Sequence, residues 1–193
     1  MVSYRSFIAA DFPDRIIEKI GLIQKSLKED IPSFVNWTNL DNIHLTLKFL
    51  GEIKLEKIQG IEESLDNIAF DTKPFSLELG GIGAFPNWRN PRIIWVGFEK
   101  SESLNSLVRL IEASMSNLGC QKEVKPFSPH LTIGRIRDYF RKEDIQILEK
   151  KSCTLKRIAD ITQVSEIHLY KSDLFRLGPV YTLIHTSPFK TSL

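Results

Sequence analysis

Apolar positions along this chain switch between two periods, and the switching points outline its elements. Tyr4 to Ala10 is a short run of strand formers that stops at Asp11-Phe12-Pro13. From Pro13 onward Ile16, Ile17, Ile20, Ile23 and Leu27 recur at helical spacing, which predicts a helix to about Lys28 with Asp11 standing before the proline as a cap. His44 to Gly51 alternates as a strand, and Leu55, Ile58, Ile61, Leu65 and Ile68 then form one stripe of a second helix. Phe75 to Leu79 and Ile93 to Phe98 read as strands on either side of a long loop, Gly80 to Pro91. Ser103 to Leu118 is helical in pattern, with Gly119 placed where a C-terminal stop belongs.

The chain then repeats itself. His130-Leu131-Thr132-Ile133-Gly134-Arg135 copies the earlier His-Leu-Thr-aliphatic strand 86 residues further on. A basic stretch from Arg141 to Arg157 predicts a solvated helix, and Val164 to Tyr170 and Val180 to His185 alternate as two closing strands. Mixed strands and helices with a duplicated strand imply an α+β fold of two similar lobes. No linker-like composition separates them, so residues 1–193 are expected to form a single bilobal domain.

Composition narrows the class without naming a function. Hydrophobic residues at 42% and charged residues at 26% are ordinary for a globular domain, and no apolar run approaches the ~18 residues of a membrane span. The opening MVSYRSFIAADFPD lacks a signal-peptide layout, so a cytoplasmic protein is expected. Cys120 and Cys153 show no zinc-site spacing and read as buried or incidental thiols. A net charge of +2 argues against wrapping a long duplex but leaves room for one or two phosphates at a strand end.

The duplicated strand carries the chemistry. Residues two apart in a strand share a face, so His44 pairs with Thr46 and His130 with Thr132, while Leu45, Leu47, Leu131 and Ile133 point the other way. Two imidazoles facing one phosphate suit phosphodiester cleavage: a neutral ring takes a proton from water while a protonated ring gives one to the leaving oxygen. The unperturbed histidine pKa of about 6.5 keeps both forms available near neutrality. The threonine hydroxyls would hold the nonbridging oxygens. A single His-x-Thr arises by chance; two copies in matched apolar strands, using half of the protein's four histidines, do not.

These two strands, His44 to Gly51 and Pro129 to Arg135, resemble the paired motifs of the two-histidine phosphoesterase superfamily, and within it the RNA 2',3'-cyclic phosphodiesterases, also called 2'-5' RNA ligases. The likeness extends to Arg5 to Ala10, Trp95-Val96-Gly97, Ser172 and Gly178 to Tyr181. The resemblance implies two pseudo-symmetric lobes of antiparallel sheet with helices, enclosing a cleft. It implies that a 2',3'-cyclic phosphate at an RNA or oligonucleotide end is opened to a 2'-phosphate, with His44 as proton donor and His130 as proton acceptor. Weak reverse 2'-5' ligation would follow from the same groups. No cofactor, no metal and no membrane partner are expected, and a monomer is.

Other residues divide less cleanly. Arg135 lies an odd number of positions from Thr132, so strict alternation turns it away from His130 unless the strand bends at Gly134, and Phe49 likewise lies an odd number of positions from His44. The resemblance favours a phosphate contact for Arg135, while Phe49 is read as stacking on a base, with core packing as the alternative. Tyr181 reads as a structural aromatic, His168 and His185 as bystanders without a Thr two residues on, and Trp37, Trp88 and Trp95 have no telling spacing. The run Arg135 to Arg141 is either a solvated face or an RNA-guiding edge. Alternatives to the main reading are a phosphodiesterase acting on linear 2'-5' oligonucleotides or cyclic nucleotides, and a non-catalytic nucleotide or RNA binding module.

Overall fold

A computed structural model describes residues 2–29, 34–137, 140–154, 160–176 and 178–191. Its elements follow in the order β1 (Ser3–Ala10), α1 (Asp14–Lys28), β2 (Val35–Trp37), β3 (Leu45–Lys54), α2 (Ile58–Asp71), β4 (Phe75–Phe85), β5 (Ile93–Phe98), α3 (Glu102–Asn117), β6 (His130–Ile136), α4 (Lys142–Thr154), β7 (Ile161–Val164), β8 (Glu166–Phe175) and β9 (Gly178–Pro188). All strand pairs are antiparallel, in the order β7-β4-β5-β6-β3-β1-β8-β9, with β2 on β6.

The path divides into two matched halves of four strands, β7-β4-β5-β6 and β3-β1-β8-β9, each ending at the centre in a motif strand. The halves meet where β3 and β6 pair through Leu45 opposite Leu131, both fully buried. Each half carries two helices whose apolar stripes are buried, for example Ile16, Ile20 and Leu27 of α1 and Leu104, Leu107 and Ile111 of α3. Burying such a side chain is worth about 1.5–3 kcal/mol. These stripes hold the strands in register and leave the opposite face for chemistry.

Several expectations need correction. β4 does not stop at Leu79; it continues through the expected loop to Phe85, shortening the loop to its last residues. Gly83, a poor strand former by itself, is needed there because a Cβ on it would lie 2.3 Å from the Trp95 ring. The single strand expected over Val164 to Tyr170 is split at Ser165 between β7 and β8. α4 buries Ile145 and Leu148, so it is solvated on one face only; the residues 155–159 of the expected helix lie outside those described. Asp138 and Tyr139 of the basic-aromatic run lie outside them as well. Finally, α1 begins after Pro13 without a side-chain cap, and Asp11 is engaged elsewhere.

Candidate active site

Both histidine-threonine pairs lie on one face beside the junction of the halves. With Leu45 opposite Leu131 in an antiparallel pair, His44 is set toward Thr132 and His130 toward Thr46. The two imidazoles are then diagonal neighbours, a relation that spans about 7–8 Å between backbones. His44, Thr46, His130 and Thr132 are half-buried, whereas Leu45, Leu47, Leu131 and Ile133 are in the core.

Each imidazole is oriented by the same device. His44 Nδ1 lies 2.9 Å from the Asn42 carbonyl oxygen, and His130 Nδ1 lies 2.7 Å from that of Ser128, in both cases two residues upstream. A carbonyl only accepts, so Nδ1 carries the hydrogen and Nε2 is left to react. A short 3-10 turn, Leu40–Asn42, delivers the first of these carbonyls, and the Asn42 side chain in turn donates to the Pro179 carbonyl at 3.1 Å. Aromatic walls complete the setting: Phe7 stacks on His44 at 4.8 Å and Tyr181 meets it edge-on at 5.2 Å, while Phe85 meets His130 edge-on at 4.9 Å.

Burial pushes both histidines below the ordinary imidazole value. For His44 the Asn42 carbonyl and the Asp11 carboxylate oppose that effect and His130 reinforces it. For His130 the Ser128 carbonyl opposes it and the Arg135 guanidinium reinforces it.

Arg135 and Phe49 both reach the face of the histidines, although strict alternation turns them away. The β1–β3 register passes from Ala9 opposite Thr46 to Ile8 opposite Lys48, leaving Leu47 as an extra residue. Phe49 therefore stands opposite Phe7 and on the side of Thr46, with 60% of its surface exposed. The β5–β6 register passes from Trp95 opposite Thr132 to Ile94 opposite Gly134, leaving Ile133 extra and turning Arg135 to the side of His130. One bulge after each threonine thus places the fifth residue after each histidine on the site face. Tyr181 lines this face too, between the charges of Arg135 and Arg5; burial pushes its hydroxyl pKa up.

Sequence reasoning overlooked Phe7 and Asp11, and it set aside His168, which lies on the same face because Ala9 pairs with both Thr46 and His168. No spacing rule could have found them, since they come from strands remote in sequence. His185 is tied to Asp66 of α2 at 2.7 Å, a contact that fastens β9 rather than serving the site. An open groove of about 430 Å³ between α2 and α3 is lined by Glu63, Asn67 and Asp71, an acidic rim that does not suit a phosphate. Among the described residues, no group of three or more His, Cys, Asp or Glu side chains is placed to hold a metal ion, and no helix is long and apolar enough to cross a membrane.

A curled antiparallel sheet with duplicated His-x-Thr pairs at its centre defines a two-histidine phosphoesterase. The family described as LigT like Phosphoesterase matches residues 11–95 and again 96–181, one copy for each motif, and the chain belongs to it. It is 36% identical over 179 residues to a protein of Archaeoglobus fulgidus named RNA 2',3'-cyclic phosphodiesterase, covering 92% of this chain and 96% of that relative. A protein of the same name from Methanocaldococcus jannaschii is 33% identical, with 93% and 98% covered. Among solved structures, Escherichia coli LigT complexed with 3'-AMP superposes with a TM-score of 0.77 at 26% identity, covering 98% of this chain and all of that one. The Thermus thermophilus protein TT0787 shares the fold with a TM-score of 0.82 at 24% identity, over 96% and 97% of the two chains.

Proposed function

We propose that this phosphoesterase opens 2',3'-cyclic phosphate ends of RNA to 2'-phosphates by metal-independent acid-base catalysis. The observation that carries the reading is that two imidazoles, each with Nδ1 held on a carbonyl, occupy diagonal positions across the Leu45–Leu131 junction. His44 gives a proton from Nε2 to the leaving 3' oxygen. His130 takes a proton from the attacking water, a role helped by Arg135, whose charge disfavours a second cation there. Thr46 and Thr132 hold the nonbridging oxygens as charge builds on them. Arg135 contacts phosphate and the exposed ring of Phe49 stacks on the terminal base. With a 5'-hydroxyl attacking in place of water and the 3' oxygen again leaving, the same groups join a cyclic end to that hydroxyl in a weak 2'-5' ligation. Relatives named RNA 2',3'-cyclic phosphodiesterase support the choice of substrate. The reading includes a monomer working in the cytoplasm.

The test is an oligoribonucleotide ending in a 2',3'-cyclic phosphate, assayed with and without EDTA beside a linear 2'-5' oligonucleotide and a 3',5'-cyclic nucleotide. The expected product is the 2'-phosphate, formed at an EDTA-independent rate. His44→Ala and His130→Ala are each expected to lose about 10²- to 10⁴-fold while remaining folded. Turnover confined to the linear or 3',5'-cyclic substrate would shift the function to those compounds, and full activity in either variant would end the two-histidine mechanism.

A further inference from the structure

Asp11 is used for something other than the helix it precedes. It lies one step beyond the Ala10–Leu45 pair, which sets it beside His44, and its Oδ2 accepts the Tyr170 hydroxyl. The same oxygen stands 3.6 Å from His168 Nε2, and that nitrogen is 3.5 Å from Glu166 Oε1. His168 is 5% exposed; its Nδ1 meets Thr186 Oγ1 at 3.1 Å, while Nε2 is buried without a hydrogen-bond partner among the described residues. A buried polar atom left unpaired costs free energy, so an imidazole nitrogen kept beside two carboxylates is a feature the fold sustains at a cost.

The packing ties this cluster to the site. The Tyr170 ring stacks on Phe7 at 5.4 Å, and Phe7 stacks on His44 at 4.8 Å, so the residue that holds the carboxylate also supports the wall behind the imidazole. Ala9, between Thr46 and His168 in the sheet, is small enough to let the larger groups close over it. The other half of the molecule repeats the histidine and threonine, but among the described residues it does not repeat this anion: the charge acting on His130 there is that of Arg135. Two copies of one motif are therefore given neighbours of opposite sign.

We propose that Asp11, held by Tyr170 and His168, is a positioning residue that makes His44 the acid of the pair and leaves His130, beside Arg135, as the base. The inference rests on the two-histidine reading above and adds what distinguishes the two rings. The groups facing His44 are Asp11 just past the end of β1, His130 from β6, Tyr181 from β9 and, through Asp11, Tyr170 and His168 from β8. Burial and His130 lower its proton affinity, and Asp11 is the anion that opposes them. Tyr181 and Tyr170, both with pKa values raised by burial, stay neutral through the working range.

Asp11→Asn removes the charge and keeps an oxygen for Tyr170. In the full chain with 13C-labelled histidine, the expected result is that the His44 resonance titrates about one pH unit lower while that of His130 stays in place. The alkaline limb of the kcat profile should move down with it. Tyr170→Phe, which loosens the carboxylate without removing it, should give a smaller shift of the same sign and serves if Asp11→Asn fails to fold. An unmoved His44 titration overturns the inference, including the case where activity falls equally at every pH, which would mean that Asp11 serves folding alone. Absence of turnover of cyclic-ended RNA by the unmodified protein would overturn the proposed function instead, and the histidine titration would still decide the role of Asp11.

Discussion

At the scale of single residues, burial governs His44 and His130 more than any partner does. Both imidazoles lose hydration, so both favour the neutral form more than an exposed histidine. In the ligand-free protein both are expected to titrate below about 6.5, and inorganic phosphate, bringing negative charge between them, should raise both values. Histidine NMR with and without phosphate checks this; a phosphate that moves neither ring is not bound at this face. Phe49 is a separate matter, because an exposed aromatic contributes little to the core. Phe49→Ala should leave thermal stability nearly unchanged and weaken binding of a cyclic-ended oligonucleotide by about 1–3 kcal/mol, read as a rise in KM.

At the scale of elements, close contacts between strands set the orientation of the site. Trp95 can lie over Gly83 because that position has no side chain, and from there the indole reaches His130 with centroids 6.5 Å apart. Gly83→Ala forces the ring to move. It should cost about 1–3 kcal/mol of stability by overpacking and lower kcat as well, measured by denaturant unfolding and steady-state kinetics. Gly60 in α2 provides the contrast: its nearest neighbour to an added Cβ is 3.8 Å away, so Gly60→Ala should stabilise the protein by up to about 1 kcal/mol without touching activity. The two bulges belong to this scale too. Leu47 and Ile133, the extra residues, are each buried like the residue two before them, and just after them Lys48 turns inward to Glu112 of α3 at 2.6 Å and Gly134 packs against Val35 and Trp37.

For the whole molecule, the junction and the last strand matter most. Leu131→Ala opens a cavity where the halves meet and should cost about 2–5 kcal/mol, seen in the unfolding midpoint. β9 is held to α2 by Asp66, which accepts from Ser187 at 2.6 Å and pairs with His185. Burial works against the Asp66 carboxylate, but those two bonds win and hold its pKa below the usual carboxylate value. A depressed pKa contributes stability that is present above the unfolded value and is lost as pH falls through the folded one. Thermal stability should therefore decline in acid below about pH 4 with a contribution that Asp66→Asn abolishes; identical acid profiles for the two proteins would refute that.

The chain's own pattern decided the helices, the motif strands and the identity of both histidine-threonine pairs, because period and duplication are local properties that survive in a string of letters. It also placed Thr46 and Thr132 on the side of their histidines, since two residues in a strand are enough to settle a face. What followed each threonine was decided only by the fold. Phe49 and Arg135 reach the site through bulges, and a bulge is the outcome of competition between two strands for register, which neither strand encodes by itself. Likewise Asp11 reads locally as a helix cap, and only the arrival of β8, 159 residues further on, draws its carboxylate to Tyr170. Contacts between residues that distant depend on the sheet order, so the charge beside His44 became visible only when β1, β3 and β8 lay side by side.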